Sequence, residues 1–198
     1  MKKIIKYLNE TIKKEKNILI FILITFFLGL ILGSLFINFI TEDDKKLLIE
    51  QLELFLSNVK NLKKDVFGIK VFSGEILNNG FQLFIIFVLG ISMIGLPVVI
   101  IIMFFKGFML GTTLATIILK YQFKGIIGSF LYVFPCYIFN IIIYIFISFF
   151  AVHASIKFLK ALLKKDNLNF KSFFGRYLLS FIISMFFMFI VCFLDAYL

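Results

Sequence analysis

A chain of 198 residues with 62% hydrophobic residues, 16% charged residues and a formal net charge of +10 differs strongly from a soluble globular domain. Such a domain has about 45–50% apolar and about 25% charged residues. The apolar residues form continuous runs and do not alternate with polar ones, which excludes the pattern of a transmembrane β-barrel. Composition therefore predicts an all-α fold: one polytopic domain over residues 1–198, a bundle of transmembrane helices embedded in the lipid bilayer.

The first predicted span is residues 17–40, which contain no charged residue and can cross a bilayer with some tilt. Six lysines and two glutamates precede this span, and its apolar run is longer than that of a signal peptide, with no clear cleavage site. We therefore expect an uncleaved anchor whose N-terminus lies in the cytoplasm.

The next segment, 41–80, is polar, with six lysines and seven acidic residues. Thr41 and Asp44 resemble a capping box, and an apolar stripe from Leu48 to Val66 predicts a helix. Such a helix can lie against the membrane or the bundle, or it can offer a docking face to a partner helix. The pattern is compatible with both interpretations.

The second polar segment, 154–176, has five lysines and one arginine against Asp166. The positive-inside rule therefore places 154–176 in the cytoplasm and 41–80 outside. An odd number of crossings must connect them, and we predict three, followed by a last span. With the first span this makes five, the later ones being residues 81–105, 107–123, 125–153 and 177–197.

Several residues take their expected positions from these span boundaries. Lys106 would lie at the cytoplasmic edge, where a charge costs little, and Lys120 would extend toward an interface. His153 and Tyr177 would lie at span ends. A re-entrant hairpin that includes 107–123 is the alternative to a full third crossing.

Chemical motifs are scarce in this chain. Residues 81–155 contain three lysines and no acidic residue, and the sequence has no HExxH, CxxC, GxSxG or P-loop motif. We therefore expect no catalytic residue, no cofactor and no metal ion. The positive charge is spread over the predicted cytoplasmic flanks without interleaved aromatic residues, so we expect no nucleic-acid partner.

A small membrane transporter or channel-like protein is one possible function. Pro97 and Pro135 interrupt apolar runs, and Asn79, Asn140 and Lys106 are polar groups near them. Broken helices with polar groups form the substrate sites of many transporters.

Two pairs of glycines have the GxxxG spacing. Gly29 and Gly33 form one pair, and Gly107 and Gly111 form the other. Small residues at this spacing let helix backbones approach closely in lipid. We expect packing within the chain, and two such faces also allow self-association or a partner helix.

The most specific block runs from Gly90 to Pro97 (GISMIGLP) and then from Phe105 to Gly111 (FKGFMLG). This block resembles the core of the stage II sporulation protein M family. The likeness implies roles in fold and assembly for six residues: Gly90, Gly95, Pro97, Lys106, Gly107 and Gly111. Around Pro135 the sequence FPCYIFN departs from the family pattern. Physically, we expect Pro97 to bend its span because it offers no N–H to the carbonyl of Met93.

The resemblance also implies a function and partners. The family acts in endospore formation, in the cell membranes that flank the asymmetric septum. Its members work with two peptidoglycan-degrading proteins, stage II sporulation proteins D and P. The implied role is a non-enzymatic scaffold that localises these hydrolases for septal thinning and engulfment of the forespore.

Overall fold

The computed structural model describes residues 10–62, 68–132, 134–163 and 170–197. A short helical stretch over residues 10–14 comes first. Within the described ranges all other regular structure consists of long helices: α1 (Lys16–Phe36), α2 (Glu42–Leu62), α3 (Gly68–Ile91), α4 (Gly95–Tyr132), α5 (Phe134–Leu162) and α6 (Phe170–Tyr197). The all-α prediction is confirmed for these residues.

Five of these helices are long and apolar enough to cross a membrane, which confirms the predicted number of spans. The one in α4, Gly95–Lys120, has 26 residues and is therefore about 39 Å long, more than the about 30 Å of a bilayer core. This length supports a full crossing rather than a re-entrant hairpin. The spans are Lys16–Phe36, Ser73–Ile91, Gly95–Lys120, Tyr137–Leu162 and Lys171–Leu194.

The second and third spans meet at residues 92–94, not at Lys106. Pro97 lies in the first turn of α4, where its missing N–H costs no helical hydrogen bond. A side chain at Gly95 would overlap the backbone of Leu89, so glycine permits the tight turn there. Pro97 thus starts a helix and does not bend one, because the chain had already turned before it.

Other predicted boundaries also shift, and one of them shifts because a single lysine does not end a helix. Lys124 lies inside α4, which continues to Tyr132, so 107–123 and 125–153 are not separated there. The apolar span Ser73–Ile91 in α3 takes in the end of the predicted outer segment 41–80. The span in α5 continues to Leu162 and takes in the beginning of 154–176.

Contacts between helices fix their relative directions. Gly29 of α1 lies against Phe104 of α4, and Gly111 of α4 lies against Leu30 and Ser34 of α1, so α1 and α4 are parallel. Helices α3 and α5 are also parallel, and α3 and α6 are antiparallel. The hydrogen bonds behind this are Gln82–Tyr144 and Gly90–Ser155 between α3 and α5, and Asn79–Cys192 and Phe87–Tyr177 between α3 and α6.

These directions are those of five successive crossings. We call the side on which α1 ends and α2 begins the α2 side, and the side on which α1 begins the N-terminal side. Which side faces the cytoplasm stays a prediction.

Helix α2 begins as the sequence predicts. The Thr41 hydroxyl accepts a hydrogen bond from the backbone N–H of Asp44 at 3.3 Å and donates one to its carboxylate at 2.6 Å. Further along α2, Glu53 forms an ion pair with Lys120 of α4. The Thr41 hydroxyl therefore caps α2 as in a capping box, whereas the Asp44 carboxylate bonds to that hydroxyl and not to the backbone N–H of Thr41. The ion pair joins α2 to α4.

The two GxxxG pairs pack on each other and form what we call the glycine interface: Gly29, Gly33, Gly107 and Gly111. A side chain at any of the four would overlap a backbone carbonyl oxygen of the other helix. The expectation of packing within the chain is confirmed. Because each pair faces the other, this face of α1 is not open to another helix.

Candidate functional site: a polar network inside the bundle

Lys106 lies deep inside a span. Within Gly95–Lys120 it is about 17 Å from one end and about 21 Å from the other, at 1.5 Å per residue. The predicted position at a membrane edge is therefore wrong. That prediction took the lysine as the end of the apolar run, whereas α4 continues through it.

The ammonium of Lys106 has two contacts across helices. Its Nζ donates a hydrogen bond to Gln82 Oε1 of α3 at 2.5 Å, and it lies 4.1 Å from the ring centroid of Tyr144 of α5. The first contact is a hydrogen bond from a cation and the second is a cation–π interaction. Together they hold the charge where α3, α4 and α5 meet.

Tyr144 extends this arrangement along α3. Its hydroxyl lies 3.0 Å from Gln82 Oε1 and 3.2 Å from Asn79 Oδ1, and its one proton can be donated to either. The amide of Asn79 donates to the sulfur of Cys192 in α6 at 4.0 Å. We call Asn79, Gln82, Lys106, Tyr144 and Cys192 the polar network; it connects four helices.

Toward the N-terminal side the network ends against an apolar layer. The next turn of α3, α4 and α5 in that direction carries Ile86, Met103 and Ile147, and each is 0% exposed. These three side chains are apolar, but Ser148 of α5, one turn from Tyr144 on the same face, is also 0% exposed, and its hydroxyl has no hydrogen-bond partner in the described residues. The network therefore lies above a closed, mostly apolar layer that contains this one hydroxyl.

A separate set of hydrogen bonds supports the end of α3. The Ser155 hydroxyl lies 3.1 Å from the carbonyl oxygen of Gly90 and 3.0 Å from that of Ser92. The Tyr177 hydroxyl donates to the carbonyl of Phe87 at 2.8 Å. The Ser155 contact satisfies the Gly90 carbonyl, which the helix end leaves without a partner. The Tyr177 contact adds a second bond to the Phe87 carbonyl, which lies four residues before the last helical residue, Ile91. A side chain at Gly90 would overlap the Tyr177 hydroxyl and Ala151, which explains the glycine.

Two side chains predicted at span ends are buried instead. Tyr177 is stacked on Phe87, so it braces α3 and does not belong to an interfacial belt. His153 lies between the rings of Phe149 and Phe173, about two and a half turns before the end of its span at Leu162. Both assignments failed because the span boundaries lie elsewhere.

The six residues singled out from the sequence fall into three places. Gly107 and Gly111 belong to the glycine interface, Gly90 lies at the supported end of α3, and Gly95 and Pro97 form the turn into α4. Lys106 alone belongs to the polar network. Its partners Gln82 and Tyr144 were missed, although an uncharged polar residue within an apolar run is a signal for an interior position.

The network presents an ammonium, two amide groups and the Tyr144 hydroxyl. In the described part of the chain, no group of three or more His, Cys, Asp or Glu could hold a metal ion. The arrangement is suited to accept a group with negative charge.

Comparison with known proteins gives one result. The comparison with curated proteins found no match, and neither did the comparison with solved structures. The family model of stage II sporulation protein M matches residues 22–198, nearly the whole chain. The match includes the glycine interface and the whole polar network. The protein is therefore a sporulation-related, multi-pass membrane protein, and it belongs to the stage II sporulation protein M family.

Proposed function

We propose that the protein is a non-enzymatic membrane scaffold that localises peptidoglycan hydrolases at the asymmetric septum, for septal thinning and engulfment of the forespore. The observation that carries this proposal is α2, a capped helix joined to the bundle through Glu53 and Lys120. With the N-terminus in the cytoplasm, α2 lies outside, on the side of the membrane where the cell wall is.

One face of α2 is suited to contact a partner. Leu47 and Leu54, two turns apart, are 54% and 58% exposed, and helix-in-groove recognition uses apolar side chains at this spacing. The ion pair near Leu54 limits how far this part of α2 can move from the bundle. A scaffold needs both an exposed contact face and a fixed position for it.

The test is co-purification of stage II sporulation proteins D and P with the tagged protein from sporulating cells. We expect the double variant Leu47→Gln, Leu54→Gln to lose both hydrolases and to stop engulfment. The matched control is Lys46→Gln, Glu50→Gln, which changes exposed polar positions of the same helix. Normal co-purification and engulfment with the leucine variant would refute the role of α2. Normal engulfment in a deletion strain would refute the scaffold itself.

A small transporter is the second candidate function, and the polar network is the observation that favours it, because ionisable groups within membranes often mark substrate paths. The closed layer of Ile86, Met103 and Ile147 favours the scaffold. Flux measurements in proteoliposomes distinguish the two. Uptake of a soluble anion that Lys106→Met abolishes would support transport.

A further inference from the structure

We infer that the polar network is a docking site for an acidic side chain, aspartate or glutamate, in the membrane-spanning helix of a partner protein. This inference deepens the proposed scaffold function, on which it rests, since it names the chemistry by which the membrane part of a partner is recognised.

The first argument is charge. A lysine within a membrane is costly, and such residues pair with an opposite charge or with carbonyl groups. Within the described residues, Lys106 contacts one acceptor, Gln82 Oε1, and no carboxylate. An ammonium has three N–H donors, so two of them have no acceptor there. A carboxylate would supply both the missing acceptors and the missing charge.

The second argument is depth. Lys106 is about 17 Å or more from either end of its span, well below the headgroups of a bilayer whose apolar core is about 30 Å thick. A lipid headgroup does not reach that depth. A side chain carried on a transmembrane helix does, and the closed apolar layer prevents approach along the bundle axis from the N-terminal side.

The third argument is the surface beside the network. Gln82 donates to Asn78 Oδ1 at 3.3 Å, and Asn78 is exposed on α3. The Asn78 amide N–H groups donate to no atom in the part of the chain that the structure describes. Lipid tails offer no acceptor for them, whereas a partner helix with polar side chains does. Exposed apolar residues flank this position: Leu77 (72%), Phe81 (64%) and, on α4, Met109 (61%).

These observations define the partner. It is a transmembrane helix with an aspartate or glutamate near its middle, seated beside α3 and α4, with apolar neighbours that cover Leu77, Phe81 and Met109. Polar contacts between transmembrane helices are suited to this task, because lipid competes poorly for them.

The experiment uses the purified full-length protein in nanodiscs and a labelled Leu/Ala peptide of about 20 residues, long enough to span, with one central aspartate. Binding is measured by fluorescence energy transfer to a label at the protein's N-terminus. We expect the peptide with central leucine to bind about tenfold more weakly or worse. A peptide whose aspartate lies near one end should bind like the leucine peptide. These two controls need no change in the protein.

Protein variants provide the second arm. Lys106→Met should bind the aspartate peptide no better than the leucine peptide, and Lys106→Arg should keep the preference. Far-UV circular dichroism verifies that both variants are folded. Equal binding of the aspartate and leucine peptides to the wild-type protein would overturn the inference. Displacement of the aspartate peptide by millimolar acetate or phosphate would also overturn it, in favour of a soluble anion.

The two proposals fail separately. If the aspartate peptide is not preferred but the hydrolases co-purify, the docking site is wrong and the scaffold stands. If the peptide is preferred but no hydrolase co-purifies, the network recognises an acidic helix of a different partner, and the scaffold role as stated is wrong.

Discussion

The glycine interface gives the sharpest prediction, because its contacts are between backbones. A Cβ at Gly107 would overlap the carbonyl oxygen of Phe26 and lie 3.1 Å from the backbone nitrogen of Leu30. Neither atom can rotate away as a side chain can. Since a close C···O contact is about 3.3–3.6 Å, Gly107→Ala must push α1 from α4 by roughly an ångström. Overpacking of this kind costs about 1–3 kcal/mol.

Gly74 is the matched control. It also lies within a helical span, but a Cβ there has no atom within 4 Å. Alanine is a better helix former than glycine by about 0.8–1.0 kcal/mol, so Gly74→Ala should be neutral or stabilising. Both changes gain this helix propensity, so the free energies of unfolding of the two variants should differ by the overpacking cost alone, about 1–3 kcal/mol.

The assay is unfolding in detergent with increasing SDS, followed by far-UV circular dichroism. A second signal is the reaction of a thiol dye with buried Cys192 on heating, in a Cys136→Ser background. Gly33→Ala should be destabilising as well, and the two changes together should cost less than their sum, because helices already separated accept a second Cβ more easily. Equal stability of the Gly107→Ala and Gly74→Ala variants would show that α1 and α4 do not pack as described.

Two further predictions concern individual hydrogen bonds. Tyr177→Phe keeps the ring stacked on Phe87 but removes the bond to the Phe87 carbonyl. It should lower the free energy of unfolding by about 0.5–1.5 kcal/mol, the net value of one hydrogen bond, and an unchanged SDS midpoint would contradict this. The hydrogen bond from Lys45, together with its charge, holds the pKa of Glu42 below its ordinary value of 4.5. Because the pKa of Glu42 is lower in the folded state than in the unfolded state, its ionised carboxylate stabilises the start of α2 at pH values above the unfolded-state pKa. This stabilisation is lost as the pH falls through the lower, folded-state pKa. The protection factors of the amides of residues 42–46, which correct for the intrinsic pH dependence of hydrogen exchange, should therefore fall in acid more in the wild type than in Glu42→Gln. Identical protection-factor profiles would refute the coupling.

Much of the fold follows from local patterns in the sequence. Apolar run lengths and the charges between them predict five spans, because an apolar run that is long enough crosses the bilayer whichever helices it later packs against. The bond between Thr41 and Asp44 is likewise a contact within one turn. The glycine pairs predict close packing but do not say which helices pack together.

The network could not be predicted in the same way. Gln82, Lys106 and Tyr144 come from three helices, and only their packing brings them together. The predicted position of Lys106 was wrong because the lysine was treated as a span boundary. A hydrogen bond and the face of an aromatic ring can hold a lysine side chain inside a helix bundle. The start of α4 was within reach of sequence reasoning, since proline is common in the first turn of a helix.

The parallel pairing of α1 and α4 has a consequence for how the protein is made. Helix α1 enters the membrane first. The part of α4 that forms the glycine interface is complete only at Gly111, about 75 residues after the end of α1. At about 5–20 residues per second, synthesis of that stretch takes about 4–15 s. During this time α1 stands in the lipid with Gly29 and Gly33 uncovered, open to any other small-faced helix nearby. Membrane insertion factors that shield such a helix until α4 arrives would therefore set the yield of correctly assembled protein.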